Sequence, residues 1–242
     1  MIIKLTLLIS FLATTVYCQG LENLKSVNPN FLQVDRNISL TFPDDHGSHP
    51  YHQLEWWYFT ANLKTSSNEH LGIQWTLFRT AIEPPETLVA NWKSKEFWMG
   101  NIAVTTADSH LFAEKVARGG VGQAGVSSSP FAAWIDNWQV HGDSWKNLQL
   151  VGKNEHFSFD LNLTSDDPLI YHGENGFSLK SLGGTASAYY SQPFFSTSGT
   201  VTIENKEYTV TGQAWADREW SSQLLDQTQE GWDWFSFHFK NG

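Results

Sequence analysis

From Leu54 onward, apolar and polar residues alternate in short runs separated by clusters of Gly, Asn, Asp and Ser. This is the period-two pattern of half-buried antiparallel strands. The clearest unit joins residues 54–63 to residues 71–79 through a polar loop. Setting Leu63 against Leu71 places Ala61 opposite Ile73, Phe59 opposite Trp75, Trp57 opposite Leu77 and Glu55 opposite Arg79. One face is then apolar along its length and ends where a carboxylate meets a guanidinium. Further strands are expected at 97–105, 111–116, 131–141, 148–151, 156–163, 186–190, 199–203, 208–217 and 232–239. Long amphipathic helices are nearly absent and no solenoid-length repeat occurs, so the pattern predicts an all-β barrel or sandwich. The last run meets the turn-forming pair Asn241-Gly242, where the chain reads as truncated.

The first 18 residues break this rhythm. Lys4 precedes an apolar run over 5–13 that is too short to span a bilayer, then Val16 and Cys18 before a cleavage point. That layout predicts a signal peptide over 1–18, a linker over 19–30 and a secreted or periplasmic mature chain, with a lipid-anchored Cys18 as the alternative. After cleavage no Cys remains, which excludes disulfides, a cysteine nucleophile and thiolate metal sites. Asn37-Ile38-Ser39 and Asn162-Leu163-Thr164 form glycosylation sequons. The 242 residues carry a net charge of -10, which argues against a nucleic-acid surface. The 12 Trp, 16 Phe and 7 Tyr must be buried or must line a pocket for an apolar ligand.

Residues 120–125 match G-x-G-x-x-G but run into serines and Pro130 rather than a helix, so they predict a turn and no dinucleotide. There is no G-x-S-x-G elbow and no H-E-x-x-H helix, and no metal or other cofactor is expected. His46, His49 and His52 recur every third residue, but Gly47 and Pro50 prevent the helix that would align them on a metal. One of them, His46, is a candidate for orienting substrate or shuttling a proton. Glu55 either pairs with Arg79 to close a barrel end or takes part in chemistry. On the strand from Tyr208, the odd positions Gln213, Trp215, Asp217 and Glu219 form a polar face lined by an indole. They read either as a ligand-facing wall or as a charged turn over packed Trp.

Phe42-Pro43-Asp44-Asp45-His46-Gly47, Leu54-Glu55-Trp56-Trp57-Tyr58, Gly72-Ile73-Gln74-Trp75-Thr76-Leu77-Phe78-Arg79, Ala214-Trp215-Ala216-Asp217-Arg218-Glu219-Trp220 and Gly231-Trp232-Asp233-Trp234-Phe235 occur in that order. Together they closely resemble the carotenoid 1,2-hydratase-like family, whose bacterial members are called AttH-type predicted secreted hydrolases. The resemblance implies two lipocalin-like antiparallel barrels in tandem. The first would occupy 31–220, with 221–242 as the crossover and the first strands of an incomplete second barrel. It implies a small hydrophobic ligand of isoprenoid, polyketide or lipid type, and hydration, hydrolysis or cyclisation chemistry. Where the carotenoid hydratases carry His-x-Trp this chain has Ala188-Tyr189-Tyr190, and where they carry Tyr-x-Asp it has Trp215-Ala216-Asp217. The acid alone is carried over.

The mechanism expected on this basis is acid-initiated. Asp217, protonated between Trp215 and Trp220, would protonate an alkene or leaving group, with Glu55 or His46 positioning water. Trp57, Trp75, Arg79, Tyr190, Trp215, Glu219 and Trp220 are the expected substrate contacts. A carrier of a lipid or pigment is the competing class, and an inactive fragment the third.

Overall fold

Trp57, Phe59, Ala61 and Leu63 fall on one side of their strand because successive side chains alternate, and burying that side curls the sheet around it. A computed structural model describes residues 28–86, 92–223, 225–226, 229–231 and 233–237. The expected signal peptide and most of the linker lie outside these residues. The strands are β1 (Leu54–Thr65), β2 (His70–Ala81), β3 (Glu96–Thr105), β4 (His110–Arg118), β5 (Ala124–Ser128), β6 (Phe131–Ile135) and β7 (Trp138–Ser144). They continue with β8 (Asn147–Lys153), β9 (Phe157–Thr164), β10 (Ile170–Tyr171), β11 (Phe177–Leu179), β12 (Ala186–Ile203) and β13 (Lys206–Ser221). Eleven of them form an antiparallel sheet in the order β4-β3-β2-β1-β13-β12-β9-β8-β7-β6-β5, with β10 and β11 added on β12. β6 comes against β2, β3 and β4, so the sheet is a nearly closed barrel, the expected lipocalin-like fold. No described helix is long and apolar enough to cross a membrane.

The β1–β2 register is the expected one, from Leu63 opposite Leu71 to Glu55 opposite Arg79. The barrel interior is packed: Trp57, Phe59, Ile73, Trp75 and Leu77 are all 0% exposed, which leaves no water-sized space against them.

Three strand expectations are corrected. Residues 131–141 are two strands, β6 and β7, because Asp136 takes a left-handed φ of 52° and turns the chain. Residues 186–190 and 199–203 belong to one long strand, β12, interrupted by a bulge between Gln192 and Phe195. Its first half pairs with β11 and its second with β9. Finally, residues 233–237 are not a strand, while 232, 238 and 239 lie outside the described residues. The glycine-rich segment behaves as a turn, with Gly120 and Gly122 at φ 78° and 83°, and leads into β5.

Candidate functional site

β13 carries the expected site residues in both directions. Val210, Ala214, Ala216, Arg218 and Trp220 point into the barrel, whereas Trp215, Asp217 and Glu219 point outward. The expectation that Trp215 and Trp220 flank Asp217 is therefore corrected: three residues along a strand is an odd step, so Trp220 and Asp217 occupy opposite faces. The sites expected as one become two.

The inner one closes the barrel end. Glu55, Arg79 and Arg218 are 0%, 1% and 0% exposed. Arg79 Nε donates to Glu55 Oε1 at 2.5 Å, and its Nη2 donates to the carbonyls of His49 and His52 at 2.9 and 2.7 Å. Arg218 Nη2 donates to Glu55 Oε2, to the Gly47 carbonyl at 2.5 Å and to His49 Nδ1 at 2.8 Å. Its guanidinium lies 3.9 Å from the Trp57 ring centroid and 4.9 Å from that of Trp220. Burial alone would raise the Glu55 carboxyl, but the Arg79 and Arg218 cations hold it well below the usual carboxylate range. His49 stacks on Trp220 at 3.8 Å and bonds Asp45 through Nε2 at 2.9 Å.

His46 ends the short 3-10 helix Asp44–His46. Its ring stacks on Trp145 at 4.2 Å and its Nδ1 is 2.7 Å from Tyr190 Oη. Burial, reinforced by Arg218, lowers its pKa to about 3, and His52 is lowered to about 4 chiefly by burial. These imidazoles are neutral polar fillers of a plug, and no three His, Cys, Asp or Glu among the described residues form a metal cluster.

On the outer face, Leu225, Gln229, Asp233 and Trp234 lie over residues of β1, β2, β12 and β13 and border a cavity of about 470 Å³, within the range of ligand pockets. Trp56 and Tyr58 of β1 and Thr76 and Phe78 of β2 form its floor. Lys180, Tyr189, Asp217 and Glu219 form the polar side, and Leu225, Gln229, Asp233 and Trp234 the cover. Trp215 lines a smaller neighbouring recess with Gln213 and Phe237.

Asp217 is 2% exposed. Its Oδ1 accepts from Trp215 Nε1 at 2.8 Å, from Tyr189 Oη at 3.0 Å and from Ser191 Oγ. Among the described residues no donor reaches Oδ2. Burial raises the pKa of Asp217, and the three neutral donors together with the more distant Lys180 offset this in part. The Tyr189 phenol is pushed up by burial and by Asp217, so it remains a donor. The net direction favours the protonated form relative to an ordinary aspartate, and Oδ2 is the oxygen that the three donors leave open.

Of the residues expected at the site, Asp217 and Glu219 line the large cavity and Trp215 borders it through its bond to Asp217. Glu55, His46, Trp57, Trp75, Arg79, Tyr190 and Trp220 do not line it; they fill the barrel and its plug. Glu55 and His46 cannot position water for Asp217, because the sheet separates them from it. The sequence reading passed over Arg218, Lys180, Tyr189, Trp56, Tyr58 and Trp234. Parity was the available signal: Trp56 and Tyr58 alternate with the buried Trp57 and Phe59, and Arg218 with the outward Asp217 and Glu219.

A search of the curated proteins finds no match. The crystal structure of an AttH protein of Nitrosomonas europaea is similar, with 33% identity and a TM-score of 0.72 over 81% of this chain and 60% of that one. Kievitone hydratase of Nectria haematococca is 12% identical, with a TM-score of 0.57 over 79% of this chain and 55% of that one, a likeness of fold. This chain therefore spans less than two thirds of either structure. The AttH-like family model matches residues 33–242, so the chain belongs to the AttH-like family.

Proposed function

We propose that the chain is part of an enzyme that takes an apolar, isoprenoid- or polyketide-like substrate into the outer cavity and protonates it from Asp217, leading to hydration or hydrolysis. The observation that carries this is the Asp217 carboxyl itself. It is buried at the wall of an aromatic cavity, its Oδ1 is occupied by three neutral donors, and its Oδ2 is left for the proton. Protonating an alkene leaves a carbocation, and the indole faces of Trp56 and Trp234 in the same cavity offer it cation–π stabilisation. These two replace Trp220, which faces the interior. The similarity to an AttH protein and the fold shared with a hydratase support this reading.

The test is Asp217→Asn. Folding and ligand affinity, read by quenching of Trp fluorescence, should persist while turnover falls about 10²–10⁴-fold. Undiminished turnover removes Asp217 from the mechanism. The aromatic floor and cover also suit a carrier, and quenching without product in the unsubstituted protein would favour that reading.

A further inference from the structure

A hydration needs a group that takes a proton from the attacking water. The candidates expected for water, Glu55 and His46, lie across the sheet. Within the cavity a second carboxyl is present. Glu219 follows Asp217 by two residues on the same outer face, about 7 Å along the strand. On the neighbouring strands Trp56 and Tyr189 stand opposite it, whereas Tyr58 and Ser191 stand opposite Asp217. The two carboxyls are buried alike, at 4% and 2% exposure, but their partners differ in kind. Among the described residues Asp217 accepts only from neutral donors, whereas Glu219 Oε1 receives the Lys180 ammonium at 2.7 Å and the Ser187 hydroxyl. Burial raises both carboxyls, but at Glu219 the Lys180 cation is the foremost opposing influence, whereas at Asp217 the opposition comes chiefly from neutral donors.

We infer that Glu219, held as a carboxylate by Lys180, is the general base that deprotonates the water added to the cation formed by Asp217. This rests on the acid role proposed above. In the step, the Asp217 Oδ2–H bond breaks as the alkene π pair forms a C–H bond. Water oxygen then bonds the cationic carbon, and Glu219 takes the released proton. Returning that proton from Glu219 to Asp217 resets both groups, so no co-reactant is consumed. The groups facing Glu219 are Lys180 from the loop after β11, Ser187 and Tyr189 from β12 and Asp217 on its own strand, with Asp233 on the cavity cover. Arg218 touches its backbone carbonyl.

The experiment is carbon-13 carboxyl NMR of the full chain at neutral pH, assigned with Asp217→Asn and Glu219→Gln. Asp217 is expected protonated and Glu219 ionised, and Lys180→Met should protonate Glu219 while leaving Asp217 protonated. A protonated Glu219 in the wild type, or one indifferent to Lys180→Met, overturns the inference. An ionised Asp217 instead overturns the acid reading on which it rests. With an ortho-prenylated phenol in heavy water, Glu219→Gln should retain deuterium exchange into the recovered alkene while hydration falls about 100-fold. Hydration at the wild-type rate by Glu219→Gln overturns the base role, and Asp217→Asn should lose both exchange and hydration.

Discussion

Residues 217 to 220 of β13 divide between two environments that are equally dry and opposite in charge logic. Inward, Arg218 meets Glu55 and is stacked between indoles, with Arg79 on the other carboxylate oxygen. Outward, Asp217 meets a phenol, a hydroxyl and an indole N–H. Burial acts on all these carboxyls in the same direction. What separates a structural carboxylate from a candidate acid is whether a cation is bonded to it. Among the described residues Glu55 has two, Glu219 has one and Asp217 has none, and Glu55 alone of the three is held below its ordinary value.

That ordering is open to direct challenge. The largest effect should come from Glu55→Gln, which leaves two buried guanidiniums without their counter-charge. A loss of about 3–5 kcal/mol in urea unfolding is expected, and a loss under about 1 kcal/mol would mean that the plug is not held by this ion pair. The next effect is in the pH dependence, where the two sides have opposite signs. The folded pKa of Glu55 is depressed, so its stabilisation is present above the unfolded value near about 4.3 and is lost as pH falls through the folded one. For Asp217 and Glu219 the folded pKa is raised, so the wild type loses stability as pH rises from the unfolded pKa towards the folded one. Asp217→Asn should therefore gain stability relative to the wild type between about pH 4 and pH 7, by about 1.4 kcal/mol for each pH unit separating the folded and unfolded pKa of Asp217. Unfolding curves at the two pH values check this, and an equal difference at both would contradict it. The smallest change in stability should follow Trp234→Ala. This residue is 40% exposed on the cavity cover, and its loss should cost about 0.5 kcal/mol while weakening binding of an apolar dye severalfold.

The fold was legible wherever period-two alternation ran unbroken. The β1–β2 register could be read because the alternate apolar residues at 57–63 and 71–77 tolerate a single in-phase pairing, and a slip of one residue would send Trp57 and Trp75 to the outside. Where alternation was interrupted, the reading failed locally. Gln192-Pro193-Phe194 carries the bulge that made β12 look like two strands, and Asp136 reverses the chain inside what read as one. The site was half legible. Asp217 and Glu219 stand out by composition, and their face with Trp215 read as a ligand-facing wall, but the pattern alone did not say which side of the sheet it takes. The small Ala214 and Ala216 beside it are the ones turned inward, where large rings from β1 and β2 already fill the space. The cavity cover left no period to detect, since Leu225, Gln229, Asp233 and Trp234 meet the cavity from residues that are in no described strand.

The cavity thus has walls of two kinds. Its floor and its polar side near β13 are strand residues, backed across the sheet by the Glu55–Arg79–Arg218 plug. Its cover follows the end of β13, and none of its described residues belongs to a strand. Substitutions in the cover reach the carboxyls chiefly through one link, the bond from Trp234 Nε1 to Tyr189 Oη at 3.3 Å, whereas those beneath fall on buried strand residues. One wall of the cavity is thus set by the strand ladder and the other only by side-chain contacts, so the two can vary under different structural constraints.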